Sequence, residues 1–172
     1  MRAADNTLSG VAIISAIKAA GIEYIVSVPD IVTSDGLLWP IVHDPDLQHI
    51  RVCKEDEGVS ICVALGYCGK RALLLIQNTG FLDSINAIRA IAVEYSNPLC
   101  MMVGLQGKEA DVLPTQSNKV SVRIVGPILD LMSIENHLLQ TTSNTDVITP
   151  AVDAAYHEDH PVCFVLGQSP SE

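Results

Sequence analysis

Apolar residues recur at helical spacing near the start of the chain, at Val11, Ile14, Ile17 and Ala20. Thr7 or Ser9 is a suitable N-cap, and Gly21 a C-cap, so the pattern predicts a helix between them. Short apolar runs follow at 22–28, 49–52, 72–76, 98–103, 137–140 and 162–166. They are continuous rather than alternating, which predicts strands buried on both faces. Amphipathic or capped stretches at 34–42, 55–69, 84–94, 126–132 and 149–157 predict the intervening helices. Residues 77–83 read as a turn, and 104–119 as a long polar loop. Strand and helix alternate throughout. The expected fold is therefore α/β: a doubly wound, mostly parallel six-stranded sheet with helices on both faces, in a single domain over residues 1–172.

Composition supports a core of aliphatic side chains. Hydrophobic residues make up 48% of the 172 positions, but aromatics only 4%. The net charge of -10 disfavours a nucleic-acid partner. Mean hydropathy is +0.32, yet no apolar run is long enough for a membrane span, so a buried protein interface is the expected use of the surplus. The first eight residues carry no apolar leader segment. Five cysteines, with no CxxC, read as reduced core thiols of a cytoplasmic protein.

In a doubly wound sheet the ligand site lies beyond the carboxyl ends of the strands. Three segments fall there: Pro29-Asp30, residues 54–57, and the turn Gln77-Asn78-Thr79-Gly80. No nucleophile-and-base pair, phosphate-binding glycine loop or metal-binding helix motif accompanies them. His157-Glu158-Asp159-His160 reads as a solvated helix end, because Pro161 stops the element at once. What remains is a carboxylate at a helix start, flanked by two polar turns.

Glu57-Gly58, with Ala64, Gly66 and Tyr67, resembles the glutamate helix in the pyrimidine-binding domain of thiamine-diphosphate enzymes. The next stretch, RALLLIQNTGFLDSINAIRAIAVEYSNPLCMMVGLQG, is similar to the following strand, turn, helix and strand of that domain. The nearest resemblance is to the alpha subunits of sulfopyruvate decarboxylase, with phosphonopyruvate decarboxylase a near relative. It covers roughly residues 8–166 and is strongest from 54 to 107.

The resemblance implies decarboxylation of a 2-oxo acid to an aldehyde with thiamine diphosphate as cofactor. It makes Glu57 the catalytic carboxylate, bonded to N1′ of the aminopyrimidine, so that the 4′-imino form can take the proton from C2. It assigns Pro29, Asp30, Gln77, Asn78, Thr79 and Gly80 to the cofactor pocket and leaves the proton donor open. His43 and His49 read as surface or satisfied side chains. Glu55 and Asp56 read as first-turn acids that favour the helix dipole.

The chain departs from the family pattern at Leu82 and Asp83, where a glycine and an asparagine are usual, and at Gln106, where an arginine is usual. The last change weakens the expectation of an acidic substrate such as sulfopyruvate. No Gly-Asp pair occurs anywhere, so the Gly-Asp-Gly…Asn segment that holds Mg²⁺ and the diphosphate is missing. The resemblance therefore implies a partner beta subunit carrying that segment, in an α2β2 or higher oligomer. Two other readings stay open: a subunit of another split thiamine enzyme, such as a carboligase or transketolase-like protein, and a non-catalytic assembly partner.

Overall fold

A computed structural model describes residues 7–171. Its centre is a six-stranded sheet of order β2-β1-β3-β4-β6-β5. The strands are β1 (Tyr24–Ser27), β2 (Gln48–Arg51), β3 (Ala72–Gln77), β4 (Leu99–Gly104), β5 (Glu135–Leu139) and β6 (Pro161–Leu166), and every pairing is parallel. This is the doubly wound α/β sheet expected.

The continuous apolar runs sit where that pattern belongs. All six residues of β4 and of β6 are buried, while the edge strands β2 and β5 are largely half-buried or exposed. Along β3, Leu73 and Leu75 join one core layer, and Ala72, Leu74 and Ile76 the other. The first layer packs α1 (Gly10–Ala19), α2 (Trp39–His43) and α8 (Ile148–Glu158) on one face. The second packs α3 (Glu55–Tyr67), α4 (Asn78–Asp83), α5 (Ile85–Ala87), α6 (Val120–Arg123) and α7 (Val125–Leu131) on the other. Ser9 caps α1, its Oγ accepting from the Ala12 amide at 3.3 Å.

Several local expectations change. The turn 77–83 is helical over Asn78–Asp83. The helix expected at 84–94 starts as α5 and continues as a π-helical segment, Ile88–Val93, in which the Glu94 amide donates to the Arg89 carbonyl five residues back. The helix expected at 34–42 divides into a π-helical segment, Ser34–Leu38, and α2. Strand β5 begins at Glu135 rather than 137, because its ladder to β6 runs through polar edge residues that no apolar run marks. A 3₁₀ turn, Pro114–Gln116, interrupts the expected loop, and α6 follows it ahead of α7. Cys62, Cys100 and Cys163 are core thiols, and burial pushes Cys100 up to about 12, but Cys53 and Cys68 are exposed. Cys68 is the C-cap of α3 rather than a core residue.

The extreme ends of the described chain are stitched together. The Gly10 amide donates to the Ser171 carbonyl at 2.7 Å, and the Ser171 amide to the Leu8 carbonyl at 2.9 Å. Gly36 fits beneath the tail, where an added Cβ would lie 2.1 Å from the Pro170 carbonyl oxygen.

His49, on β2, sits partly buried with Nε2 2.8 Å from Ser27 Oγ. Burial, reinforced by the charge of Arg51, holds its pKa below the ordinary histidine value. The unfolded chain therefore takes up this proton first, and stability falls as pH drops through about 6.5. We expect the melting temperature to decline between pH 7.5 and 5.5, and to decline less in His49→Gln. Equal slopes for the two proteins would remove His49 as the cause.

Candidate functional site

The chain leaves β1 on one face of the sheet and leaves β3 on the other, so a crevice opens between the carboxyl ends of these neighbours. The sequence-predicted residues converge on it. Pro29 is half-buried directly beyond β1. Asp30 is 7% exposed, and its carboxylate is committed to the turn that follows. Oδ1 accepts from the amides of Val32 (2.7 Å) and Thr33 (2.9 Å), and Oδ2 from the Thr33 hydroxyl (2.6 Å). This pins loop 30–33 across the end of β4, where Gly104 has room only for hydrogen beneath Val32 and Thr33.

Gln77 ends β3 on the loop 30–33 face, and its Oε1 is buried without a hydrogen-bond partner. Asn78 is fully buried and ties β3 to the segment after β4: its Oδ1 accepts from the Gln106 amide at 3.1 Å, and its Nδ2 donates to the Gln106 carbonyl at 3.3 Å. Its side chain thus holds Gln106 in place and supports the pocket from behind. Thr79 is exposed on the first turn of α4.

The three acids that open α3 have separate fates. Asp56 pairs with Lys54 at 3.6 Å, and Lys54 reaches on to Asp83 at 3.7 Å. Both carboxylates raise the Lys54 pKa, Asp56 the more strongly. Glu57 is exposed and folds back over the helix start, where its Oε2 accepts from the Cys53 and Lys54 amides at 3.2 and 3.3 Å. That is the glutamate half of a capping box. Glu55 is half-buried, and its side chain makes no hydrogen bond or ion pair to any described residue. It lies against Gly80: a Cβ there would come within 2.3 Å of Glu55 Oε1. Sequence reasoning set Glu55 aside as a solvated acid. The available signal was the register of α3, since Glu57 stands three residues past Lys54, at the capping-box position.

Beyond these strand ends lie a carboxylate, Glu55 against Gly80, and a buried amide oxygen, Gln77 Oε1, neither bonded to a described residue. A Cβ at Gly80 would crowd Glu55, and the two acceptor oxygens suit the N–H groups of an aminopyrimidine. Among the described residues no group of three His, Cys, Asp or Glu side chains could hold a metal ion. Nor, among them, is any helix long and apolar enough to cross a membrane.

The same architecture occurs in a 2-oxo-acid enzyme. It superposes with a TM-score of 0.71 on 2-oxoglutarate:ferredoxin oxidoreductase from Magnetococcus marinus, solved with 2-oxoglutarate, coenzyme A and succinyl-CoA bound. At 12% identity, covering 96% of this chain and 31% of that one, the likeness is one of fold. Sequence similarity is more specific. The chain is 31% identical over 126 residues to sulfopyruvate decarboxylase subunit alpha of Methanothermobacter thermautotrophicus, covering 73% of this chain and 74% of that one. It is 28% identical over 156 residues to the same subunit of Methanocaldococcus jannaschii, 90% of each chain. It belongs to the sulfopyruvate decarboxylase alpha-subunit family. A third relative, sulfopyruvate decarboxylase of Methanosarcina acetivorans, is 28% identical over 146 residues, 77% of this chain but only 37% of that one. No protein-family model matches the chain.

Proposed function

We propose that this chain is the pyrimidine-binding subunit of a cytoplasmic, thiamine-diphosphate-dependent decarboxylase. The enzyme converts a 2-oxo acid of the sulfopyruvate type to an aldehyde and CO₂. The observation that carries the reading is the half-buried, unpartnered carboxylate of Glu55, seated on Gly80 at the mouth of the crevice. The family match points by spacing to Glu57. Geometry favours Glu55, because Glu57 already serves the backbone of its own helix start.

In this reading Glu55 would hold the proton at the ring nitrogen of the bound aminopyrimidine. Gln77 Oε1 offers an acceptor to an N–H of the same ring. Pro29 and loop 30–33, locked by Asp30, wall the crevice on one side, while Asn78 fixes the Gln106 backbone opposite. Thr79 and Gly80 form the floor. When bound, the cofactor supplies the electron sink for loss of CO₂.

A partner beta chain holds the diphosphate and Mg²⁺, in an α2β2 or higher assembly. Two observations support this. The sequence has no Gly-Asp pair. In addition, the M. acetivorans relative is named as a decarboxylase without a subunit label and is much longer than the segment that matches.

The test is co-expression with a chain carrying Gly-Asp-Gly…Asn, followed by CO₂ assays on sulfopyruvate, phosphonopyruvate and pyruvate with thiamine diphosphate and Mg²⁺. Release that requires both chains is expected. A stable, cofactor-loaded complex that releases none would transfer the chain to a carboligase or other thiamine reaction.

Gly80→Ala gives a second check. The three atoms nearest its methyl, at 2.3–2.5 Å, all belong to the flexible Glu55 side chain. Glu55 can swing aside cheaply, so folding should be nearly unchanged while the carboxylate is misplaced. We expect turnover to fall about a hundredfold with a melting temperature close to wild type. Normal turnover would show that Glu55 need not occupy this position.

A further inference from the structure

A 2-oxo acid of the sulfopyruvate type carries a second anionic group that decarboxylation leaves untouched. A chain with a net charge of -10 must meet that group with a cation or repel it. The described lysines and arginines narrow the choice. Lys18, Lys54, Lys70, Arg71 and Arg89 are each paired with a carboxylate. Lys108 Nζ donates to the Glu109 carbonyl at 2.8 Å, and Arg123 Nη1 to the Ser117 carbonyl at 2.6 Å. Arg51 ends the edge strand β2, with β1 between it and β3. Lys119 remains.

Two sets of contacts place Lys119 beside the residues that follow β3 and β4. Its side chain runs along Gly107, where a Cβ would lie 3.7 Å from its Cγ and 4.0 Å from its Cε. Gly107 has a φ of 83°, which favours glycine, so the backbone stays bare beneath the lysine stem. The preceding residue, Gln106, has its amide and carbonyl bonded to the Asn78 side chain at 3.1 and 3.3 Å. Ser121 Oγ, two residues after Lys119, accepts from Asn78 Nδ2 at 3.4 Å. Asn78 thus ties the backbone on both sides of the Lys119 side chain to the end of β3, next to Gln77.

The ammonium itself is uncommitted. Lys119 is exposed, and its side chain makes no hydrogen bond or ion pair to a described residue. Glu109, an acid of the same loop, is held instead by the Ser117 hydroxyl at 2.6 Å and the Asn118 amide at 3.1 Å.

We propose that Lys119 is a specificity-determining residue that binds the sulfonate or phosphonate end of the substrate. The inference rests on the decarboxylase reading given above. An ammonium offers three rotatable N–H donors, which suit a tetrahedral oxyanion. Pyruvate, with a methyl group at that end, gains nothing from it.

The test compares substrates in the assembled enzyme. Lys119→Met keeps an unbranched stem and removes the charge. Its kcat/KM for sulfopyruvate and phosphonopyruvate should fall roughly 10–100-fold, while that for pyruvate stays within about threefold. Lys119→Arg should restore most of the loss. The melting temperature of Lys119→Met should match wild type, because the side chain supports no bond in the fold. A second readout needs no turnover. Calorimetric titration of the assembled complex with sulfopropionate, which lacks the keto group, should show a Kd weakened by the same factor in Lys119→Met. Propionate, its counterpart without the sulfonate, should bind both proteins alike. Equal losses on all three acids overturn the proposal, as does an unchanged sulfopropionate Kd. A wild-type complex that decarboxylates none of the acids would instead sink the reading on which the proposal rests, while the titration would still report whether Lys119 binds a sulfonate.

Discussion

Glu55→Gln is expected to remove the decarboxylase activity of the assembled enzyme, by about 10²–10⁴-fold in kcat, without disturbing the fold. The substitution keeps size and shape, and the Glu55 side chain supports no hydrogen bond or ion pair among the described residues. Nothing structural is lost except the acidic function. Glu57→Gln should behave oppositely. An amide oxygen can still accept from the Cys53 and Lys54 amides, so turnover should stay within a few-fold of wild type. Glu57→Ala, which deletes the cap, should cost about 1 kcal/mol of stability. Steady-state kinetics and thermal melts of the three variants separate the roles. A dead Glu57→Gln beside an active Glu55→Gln would return the cofactor-facing role to Glu57.

The largest loss of stability is expected from Gly36→Ala. An added Cβ would lie 2.1 Å from the Pro170 carbonyl oxygen and 2.5 Å from its carbon. On the adjoining side, the Gly36 carbonyl already approaches to 1.8 Å the position a Cβ on Gly10 would occupy. The neighbours are backbone in both directions, so no side chain can rotate out of the way. Three chain segments must move apart, or the tail must leave. The cost should reach about 3 kcal/mol, which in a domain of this size is a drop of roughly 6–12 °C in melting temperature. Hydrogen exchange should quicken first at the Gly10 and Ser171 amides, which hold the tail in place. A melt within 2 °C of wild type would mean that this packing is looser than the geometry implies.

The sheet was readable from the sequence because β3, β4 and β6 are apolar on both faces, and burial on both faces leaves few other arrangements. The helix over Asn78–Asp83 was not. Asn, Thr and Gly are turn formers, and here the burial of Asn78 and Phe81 overrides that preference. The strand ends alone placed Pro29, Asp30 and residues 77–80 together in sequence, without showing which faces they use. Two assignments within it depended on register. Whether a first-turn acid caps its helix or faces a ligand is decided by rotations of about 100° per residue, and Glu55 and Glu57 differ by two such steps. Asn78 looks like a pocket residue in sequence, but its buried amide groups are taken up by the Gln106 backbone.

The position of β6 bears on how the chain can be assembled during synthesis. β4 and β5 share no hydrogen-bond ladder: β6 lies between them, and it is the strand that pairs with β5 and with the free edge of β4. Of the six strands described, the last in chain order is therefore an interior one. Until residues 161–166 leave the ribosome, β4 presents an open, fully apolar edge and β5 has no partner at all. The nascent protein carries a slot in its sheet, of the kind a second copy could fill by mistake, until the final strand occupies it.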